Sequence, residues 1–157
     1  MKNTRIDMYN SLKITLVALL GILFVPAFAQ NPVSEKLDTQ TIIDLSKTPK
    51  MAFGVSAERQ LKGAFMVYDN LKENKAKIEK FEILIWGPIV TDLKKDTELA
   101  AFIKPFLDGN LDVTVCRVAL DRMGIKESEL LPGIKVVGNA YVRLFQLQAL
   151  DYNVIIP

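Results

Sequence analysis

Short apolar runs alternate with amphipathic stretches along the chain from residue 50 onward. Five of these runs are rich in Val, Ile, Leu and Phe and are bounded by Gly, Pro or Asn, which is typical of buried strands. The predicted strands are Lys50–Val55, Phe81–Trp86, Leu111–Val115, Ile134–Val137 and Tyr152–Ile156.

Helical spacing of apolar residues fills the intervals between these strands. Apolar positions between residues 61 and 71 fall on one helical face, and Ser56 stands where the N-cap of that helix belongs. A second helical pattern, Leu99–Phe106, contains Pro105, which predicts a kink or an end at that proline. Two further helices are predicted at Arg117–Met123 and Ala140–Leu150.

The alternation of buried strands with helices predicts an α/β fold. Strands that are apolar throughout are typical of a mainly parallel sheet with both faces covered. Right-handed crossovers then favour a three-layer sandwich around a five-stranded sheet. We expect a flavodoxin-like strand order of 2-1-3-4-5, in which the first and third strands flank the point where ligands bind.

Residues 1–29 have the three-part layout of a secretory signal peptide. A basic start is followed by the apolar run Ile14–Val25, and Ala27 and Ala29 stand at the positions that a signal peptidase reads. The apolar run is shorter than the about 20 residues that a spanning helix needs. We therefore expect cleavage before Gln30 and a periplasmic or secreted mature protein without a membrane anchor.

Residues 30–49 are mostly polar, with a proline near each end of the segment. They predict a tether with a short extended piece at Thr41–Leu45. The predicted domain organisation is therefore a cleaved leader (1–29), a polar N-terminal segment (30–49) and one α/β domain (50–157).

The charge of the predicted mature chain is balanced. The whole chain has 20 Lys and Arg residues against 18 Asp and Glu residues, and the leader holds three of the basic and one of the acidic ones. Neither nucleic acid nor an anionic membrane surface is an expected partner of the remaining neutral domain.

The composition also excludes several kinds of catalytic and cofactor site. The chain has no histidine, which excludes Ser-His-Asp and Cys-His sites and argues against a zinc site. No glycine-rich phosphate or dinucleotide fingerprint is present, so we predict neither a metal nor a cofactor.

Cys116 is the only cysteine and follows the third predicted strand directly. The carboxyl ends of parallel strands form the ligand-binding edge of such sheets. The start of the next helix and the charge of Arg117 both favour a thiolate, which is the reactive form of cysteine. Cys116 is therefore the candidate catalytic residue, and Ser56 and Arg117 are candidate binding residues on the two sides of the crevice.

Trp86 and Gly87 form a second cluster at a strand end. Trp86 is a candidate wall of the crevice that stacks on a flat ligand, and Gly87 follows it. A tryptophan at this place is also compatible with simple packing or an oligomer contact. Cys116 is likewise compatible with a packing role alone, because free cysteine often acts as a small buried hydrophobe.

The chain from residue 50 to residue 157 resembles the DsrE-like family, which includes the sulfur-relay subunits DsrE, DsrF and TusD. The segments that carry the resemblance are VSAERQLKGAFMVYDNL, ILIWGPIV, LDVTVCRVALDRMGI and LLPGIKVVGNAYVRLFQLQALDYNVIIP. The last two are the most specific. The resemblance implies a three-layer α/β subunit that assembles into trimers or hexamers and a cysteine that carries a persulfide between partner proteins, a role that falls on Cys116.

Three functions follow from these observations. The first is an exported sulfur carrier, or sulfurtransferase in the loose sense, in which Cys116 accepts a sulfane sulfur from a donor protein and passes it to an acceptor. The alternative is a non-catalytic oligomeric module that binds a small ligand or a protein, with Cys116 as packing. The third is a redox sensor in which Cys116 forms a mixed disulfide.

Overall fold

A computed structural model describes residues 35–107 and 109–157. The predicted signal peptide lies outside the described residues, as does Asp108. In the described part of the chain, no helix combines the length and the apolar character needed to cross a membrane. The elements are α1 (Thr39–Ser46), β1 (Lys50–Val55), α2 (Glu58–Glu73), β2 (Lys80–Ile85), α3 (Glu98–Ile103), β3 (Leu111–Cys116), α4 (Arg117–Arg122), β4 (Lys135–Val137), α5 (Ala140–Ala149) and β5 (Asn153–Ile155), with 3₁₀ turns at Pro88–Leu93, Lys104–Phe106 and Glu127–Glu129.

The five strands form one parallel sheet in the order β4-β3-β2-β1-β5. The predicted α/β class and the five-stranded parallel sheet are confirmed. The order differs from the predicted 2-1-3-4-5, because β2 lies between β1 and β3. Strands β1, β2, β3 and β4 lie side by side in chain order. The connection through α5 then returns across the sheet to place β5 at the opposite edge, beside β1.

One face of the sheet is covered by α2 and α3. The ring of Tyr68 on α2 lies 5.1 Å from that of Phe81 on β2, measured between centroids. Phe65 on α2 packs against Phe106, just after α3, at 4.4 Å. These aromatic contacts join α2 to the sheet and to the segment after α3.

The other face is covered by α5. Successive strand residues point to opposite faces, so Glu82 faces away from Phe81. The carboxylate of Glu82 is paired with Arg143 of α5. Helices therefore cover both faces of the sheet, as a three-layer sandwich requires. The buried residues of α5 are Ala140, Leu144 and Leu147.

The predicted extended piece at Thr41–Leu45 is wrong, because these residues belong to α1. Asp38 is the N-cap: one carboxylate oxygen accepts from the Thr41 N–H at 2.9 Å and the other from the Thr41 hydroxyl at 2.6 Å. Leu37 and Leu45 pack against the core, and the Leu37 N–H donates to the Asn74 side chain. A capped helix with apolar anchors thus replaces the expected tether.

The N-terminus of α2 also differs from the prediction by one residue. Ala57, not Ser56, occupies the N-cap position. The side-chain oxygen of Gln60 accepts from the N–H groups of Ser56 and Ala57 at 2.9 and 3.1 Å. The side chain of Gln60 thus satisfies backbone donors at this helix end.

Candidate functional site

The site around Cys116 is built where β3, β4 and α5 meet. Cys116 is the last residue of β3 and is paired in register with Val137, the last residue of β4. The chain turns at Gly138 and Asn139, and α5 begins at Ala140. The Ala140 N–H donates to the Cys116 Sγ across 3.3 Å.

The first turn of α5 leaves its positive end at this sulfur. The side-chain oxygen of Asn139 accepts from the N–H groups of Tyr141 and Val142 at 2.9 and 3.3 Å. The Ala140 N–H is directed to Cys116 instead. The sulfur atom therefore lies at the N-terminal end of α5, where it faces a backbone donor that has no partner within the helix.

A cavity of about 290 Å³ opens beside Cys116. The buried side chains of Cys116, Ala119 and Ala140 form its floor, and more exposed side chains form its rim. The Cys116 side chain is only 5% exposed. The rim residues are Trp86, Gly87, Pro88, Val118, Arg122, Met123, Asn139 and Tyr141.

Trp86 and Tyr141 form an aromatic wall of this cavity. Their ring centroids are 6.1 Å apart and their planes are inclined by 52°. The Trp86 ring lies over Gly54 of β1, where a Cβ atom would come within 2.8 Å of the ring. Gly87, which follows the tryptophan, has φ 76°, a conformation that glycine adopts without strain.

The structure brings together three of the five predicted site residues. Cys116, Trp86 and Gly87 all line the cavity. Ser56 does not line it, although it lies behind Gly87, with its Cβ 3.4 Å from where a Cβ on Gly87 would stand. Ser56 therefore supports the backbone beside the site.

Arg117 is placed differently from the prediction. Its guanidinium forms an ion pair with Glu127 and does not line the cavity. Arg122, one turn further along α4, lines the cavity instead. Cys116 occupies the N-cap position of α4, but its side chain makes no cap hydrogen bond there.

Sequence reasoning missed the part of the site that α5 supplies. Asn139 is the N-cap of this helix. The sequence does not show that this helix starts over Cys116, because that requires the chain after β4 to return across the sheet to β5 beside β1, whereas the predicted order carries it outward from β4. Among the described residues, no group of three His, Cys, Asp or Glu residues is arranged to hold a metal ion.

Comparison with known proteins supports the fold and identifies the family. The family model described as "DsrE/DsrF-like family" matches residues 50–157. A search of the curated proteins found no match. Among solved structures, the chain is similar to MTH1491 from Methanobacterium thermoautotrophicum, a protein of unknown function, with a TM-score of 0.58 and 18% identity over 69% of this chain and 98% of that one. The family match spans more than half of the chain, from the first strand to the last residue, and the chain belongs to the DsrE/DsrF-like family.

Proposed function

We propose that this protein is a sulfur carrier that holds a sulfane sulfur as a persulfide on Cys116. The observation that carries the proposal is the hydrogen bond from the Ala140 N–H to the Cys116 Sγ at the edge of a cavity. Membership of the DsrE/DsrF-like family supports a role in sulfur relay. A thiolate is the nucleophile in such chemistry. The Ala140 N–H at the start of α5 is a hydrogen-bond donor to that sulfur atom.

The transfer step needs no cofactor. The Cys116 thiolate attacks the outer sulfur of a donor persulfide, and a new S–S bond forms on Cys116. The S–S bond of the donor breaks, and its electron pair leaves with the donor thiolate. Delivery to an acceptor thiolate is the same exchange in reverse, so sulfur oxidation states balance across the two steps.

The surroundings of Cys116 fit the product of this step. A persulfide is longer than a thiol by one sulfur atom and carries its charge on the outer atom. The cavity beside Cys116 offers space for that atom. Arg122 on the rim is a cation for which the described residues show no ion pair, and it supports an anionic outer sulfur.

The test is the intact mass of the native protein after incubation with a polysulfide donor. We expect a gain of one sulfur atom that a reducing agent removes. Cys116→Ala serves as the control and gains nothing. A native protein that keeps its mass with every donor, while its denatured form gains sulfur, contradicts the proposal.

A second candidate is a module that binds a small flat ligand without covalent chemistry. The observation that favours it is the aromatic pair Trp86 and Tyr141 on the rim, together with the 5% exposure of Cys116. Labelling with iodoacetamide under native conditions distinguishes the two functions. Modification within the time that a small model thiol needs favours the carrier, and modification only after denaturation favours the binding module.

We also propose that the protein is exported before it acts. The support comes from the sequence of residues 1–29, which lie outside the described part of the chain. N-terminal sequencing of the protein from cells is the test. A mature chain that starts at Gln30 in a secreted or periplasmic fraction agrees with export, and a chain that retains Met1 contradicts it.

Finally, we propose that copies of the chain assemble through the outer surface of α5. Tyr141, Val142 and Phe145 are 63%, 66% and 72% exposed, which is unusual for large apolar side chains on one short helix. Because the exposed α5 side chains carry no charge, two copies of this surface meet without repulsion. These exposed residues are Tyr141, Val142, Phe145, Gln146, Gln148 and Ala149.

A further inference from the structure

We infer that Arg143 is a positioning residue, whose ion pair with Glu82 holds the start of α5 against Cys116. The inference rests on the proposed function for the chemistry of Cys116. It goes beyond that function by assigning a task to a buried charged cluster that does not line the cavity.

Every buried polar side-chain atom of the cluster has a hydrogen-bond partner. Glu82 is 2% exposed and its two carboxylate oxygens accept from the Arg143 Nε at 3.0 Å and Nη2 at 2.7 Å. The Thr114 hydroxyl donates to the same carboxylate at 2.8 Å. Gln146 accepts from the remaining arm of the guanidinium at 2.6 Å. The fork of Arg143 is thus fixed in one orientation.

The cluster and the Cys116 contact join the same helix to the same side of the sheet. Thr114 precedes Cys116 by two residues, so both side chains lie on the face of β3 that α5 covers. Arg143 follows Ala140 by three residues, about one turn along α5. Two attachments about 4.5 Å apart along the helix axis fix both the axial position and the rotation of α5.

A pair of apolar side chains in place of Glu82 and Arg143 would not orient α5 in the same way. Buried ion pairs add little net stability compared with well-packed apolar residues, because both charges lose their hydration. A bidentate Arg–carboxylate pair fixes one geometry through two parallel hydrogen bonds, whereas the attraction between apolar side chains has no preferred direction. The charged cluster therefore serves the placement of the Ala140 N–H better than it serves stability alone.

The experiment compares Arg143→Met and Arg143→Lys with the unmodified protein. The first readout is hydrogen exchange of the Ala140 amide, measured by NMR and divided by the protection of the Ile83 amide in the central strand β2. We expect the ratio of Ala140 protection to Ile83 protection to fall about tenfold in Arg143→Met. Without the ion pair, the start of α5 opens locally while the central strand stays protected. Arg143→Lys keeps the positive charge but loses the bidentate geometry of the guanidinium. Its protection ratio should therefore lie between those of the unmodified protein and Arg143→Met.

The second readout is the rate at which the native protein gains sulfur from a polysulfide donor, which should fall in the same order. Leu71→Ala on α2 is the control: it destabilises the protein from the opposite face and should leave the Ala140 to Ile83 ratio unchanged. An unchanged ratio in both Arg143 variants overturns the inference. A fallen ratio in a protein that takes up no sulfur keeps Arg143 as the anchor of α5 and overturns the sulfur-carrier function alone.

Discussion

At the scale of single residues, the environment of Cys116 is made by residues that are distant in the chain. Ala140 donates to its sulfur, and Trp86 and Tyr141 wall the adjoining cavity. Arg117, its immediate neighbour, pairs with Glu127 instead. The surroundings of this thiol therefore depend on how the sheet and α5 are packed.

Gly54→Ala tests whether the Trp86 wall depends on the absence of a side chain in β1. A Cβ atom at position 54 would stand 2.8 Å from the Trp86 ring, closer than carbon atoms approach. Displacing the ring or the strand should lower the free energy of unfolding by about 1–3 kcal/mol. Urea denaturation followed by circular dichroism measures this change.

Gly63→Ala is the matched control for this substitution. Gly63 lies inside α2, and a Cβ atom there meets no other atom within 4 Å. Alanine in a helix interior should raise the free energy of unfolding by about 0.5–1 kcal/mol. A loss of stability in both variants, or in neither, contradicts the steric account of Gly54.

Part of the site could be predicted from single residues. The rule that ligands gather at the carboxyl ends of parallel strands brings Cys116, Trp86 and Gly87 together, and all three line the cavity. Arg122 escaped prediction because the direction of an exposed side chain on a short helix follows from tertiary contacts.

At the scale of elements, α5 has two tasks. It carries the chain from one edge of the sheet to the other, and its first turn supplies the donor to Cys116. Asn139 determines where that turn begins, because its side chain caps the N–H groups of Tyr141 and Val142. The cap therefore couples helix stability to the geometry of the site.

Asn139→Ala should weaken both the stability of α5 and the placement of its first turn beside Cys116. Loss of an N-cap side chain lowers the free energy of unfolding by about 0.5–2 kcal/mol. We expect thermal and urea unfolding to show this loss and the Ala140 amide to exchange faster. Asn139→Ser retains a capping oxygen and should stay within a few tenths of a kcal/mol of the original. Equal losses in both variants would show that the cap is not the cause.

The Asp38 cap should make the N-terminus of α1 sensitive to acid. The Thr41 hydroxyl and then the Thr41 N–H, both donating to the Asp38 carboxylate, lower the pKa of Asp38 below its ordinary value of 3.8. A lowered pKa in the folded state means that the cap is complete above pH 3.8 and is lost as the pH falls through the lowered pKa.

The Thr41 amide resonance in an NMR titration should follow this loss, shifting at a pH below 3.8. In Asp38→Asn the cap remains without a titrating carboxyl, so the resonance should stay constant in that range. A shift centred above 3.8 in the original protein contradicts the cap.

Most elements could be predicted because their patterns are local. The strand Lys50–Val55 has the predicted bounds, and α3 ends before Pro105, as the proline requires. α1 was missed because it is only eight residues long and its two adjacent isoleucines are typical of a strand. Its stability comes from the Asp38 cap and from the contacts of Leu37 and Leu45 with the core.

At the scale of the whole molecule, the strand order decides which helix meets Cys116. All five strands are short apolar runs, and nothing in their sequences states which strand pairs with which. The prediction placed β1 beside β3 and assigned the helix dipole to the segment after Cys116. In the actual order, β3 lies between β2 and β4, and the return of the chain through α5 supplies the donor.

The exposed α5 surface predicts self-association of the mature protein. Phe145→Arg places a charge at the centre of this surface and should shift the protein to a monomer in sedimentation velocity experiments, with little change in stability because Phe145 is 72% exposed. Met66→Arg on α2, where Met66 is 52% exposed, is the control and should leave the assembly intact. A protein that is monomeric before any substitution contradicts the proposed assembly.

The most direct measurement of the central claim follows one labelled sulfur atom through the folded protein. Native protein is loaded from a polysulfide donor that carries radioactive sulfane sulfur, separated from the donor and then mixed with an excess of a small acceptor thiol. We expect the label to bind to the original protein, to be absent from Cys116→Ala and to pass to the acceptor while the protein stays folded. A label that never binds to the native protein, or that binds equally to Cys116→Ala, would contradict sulfur carriage by Cys116.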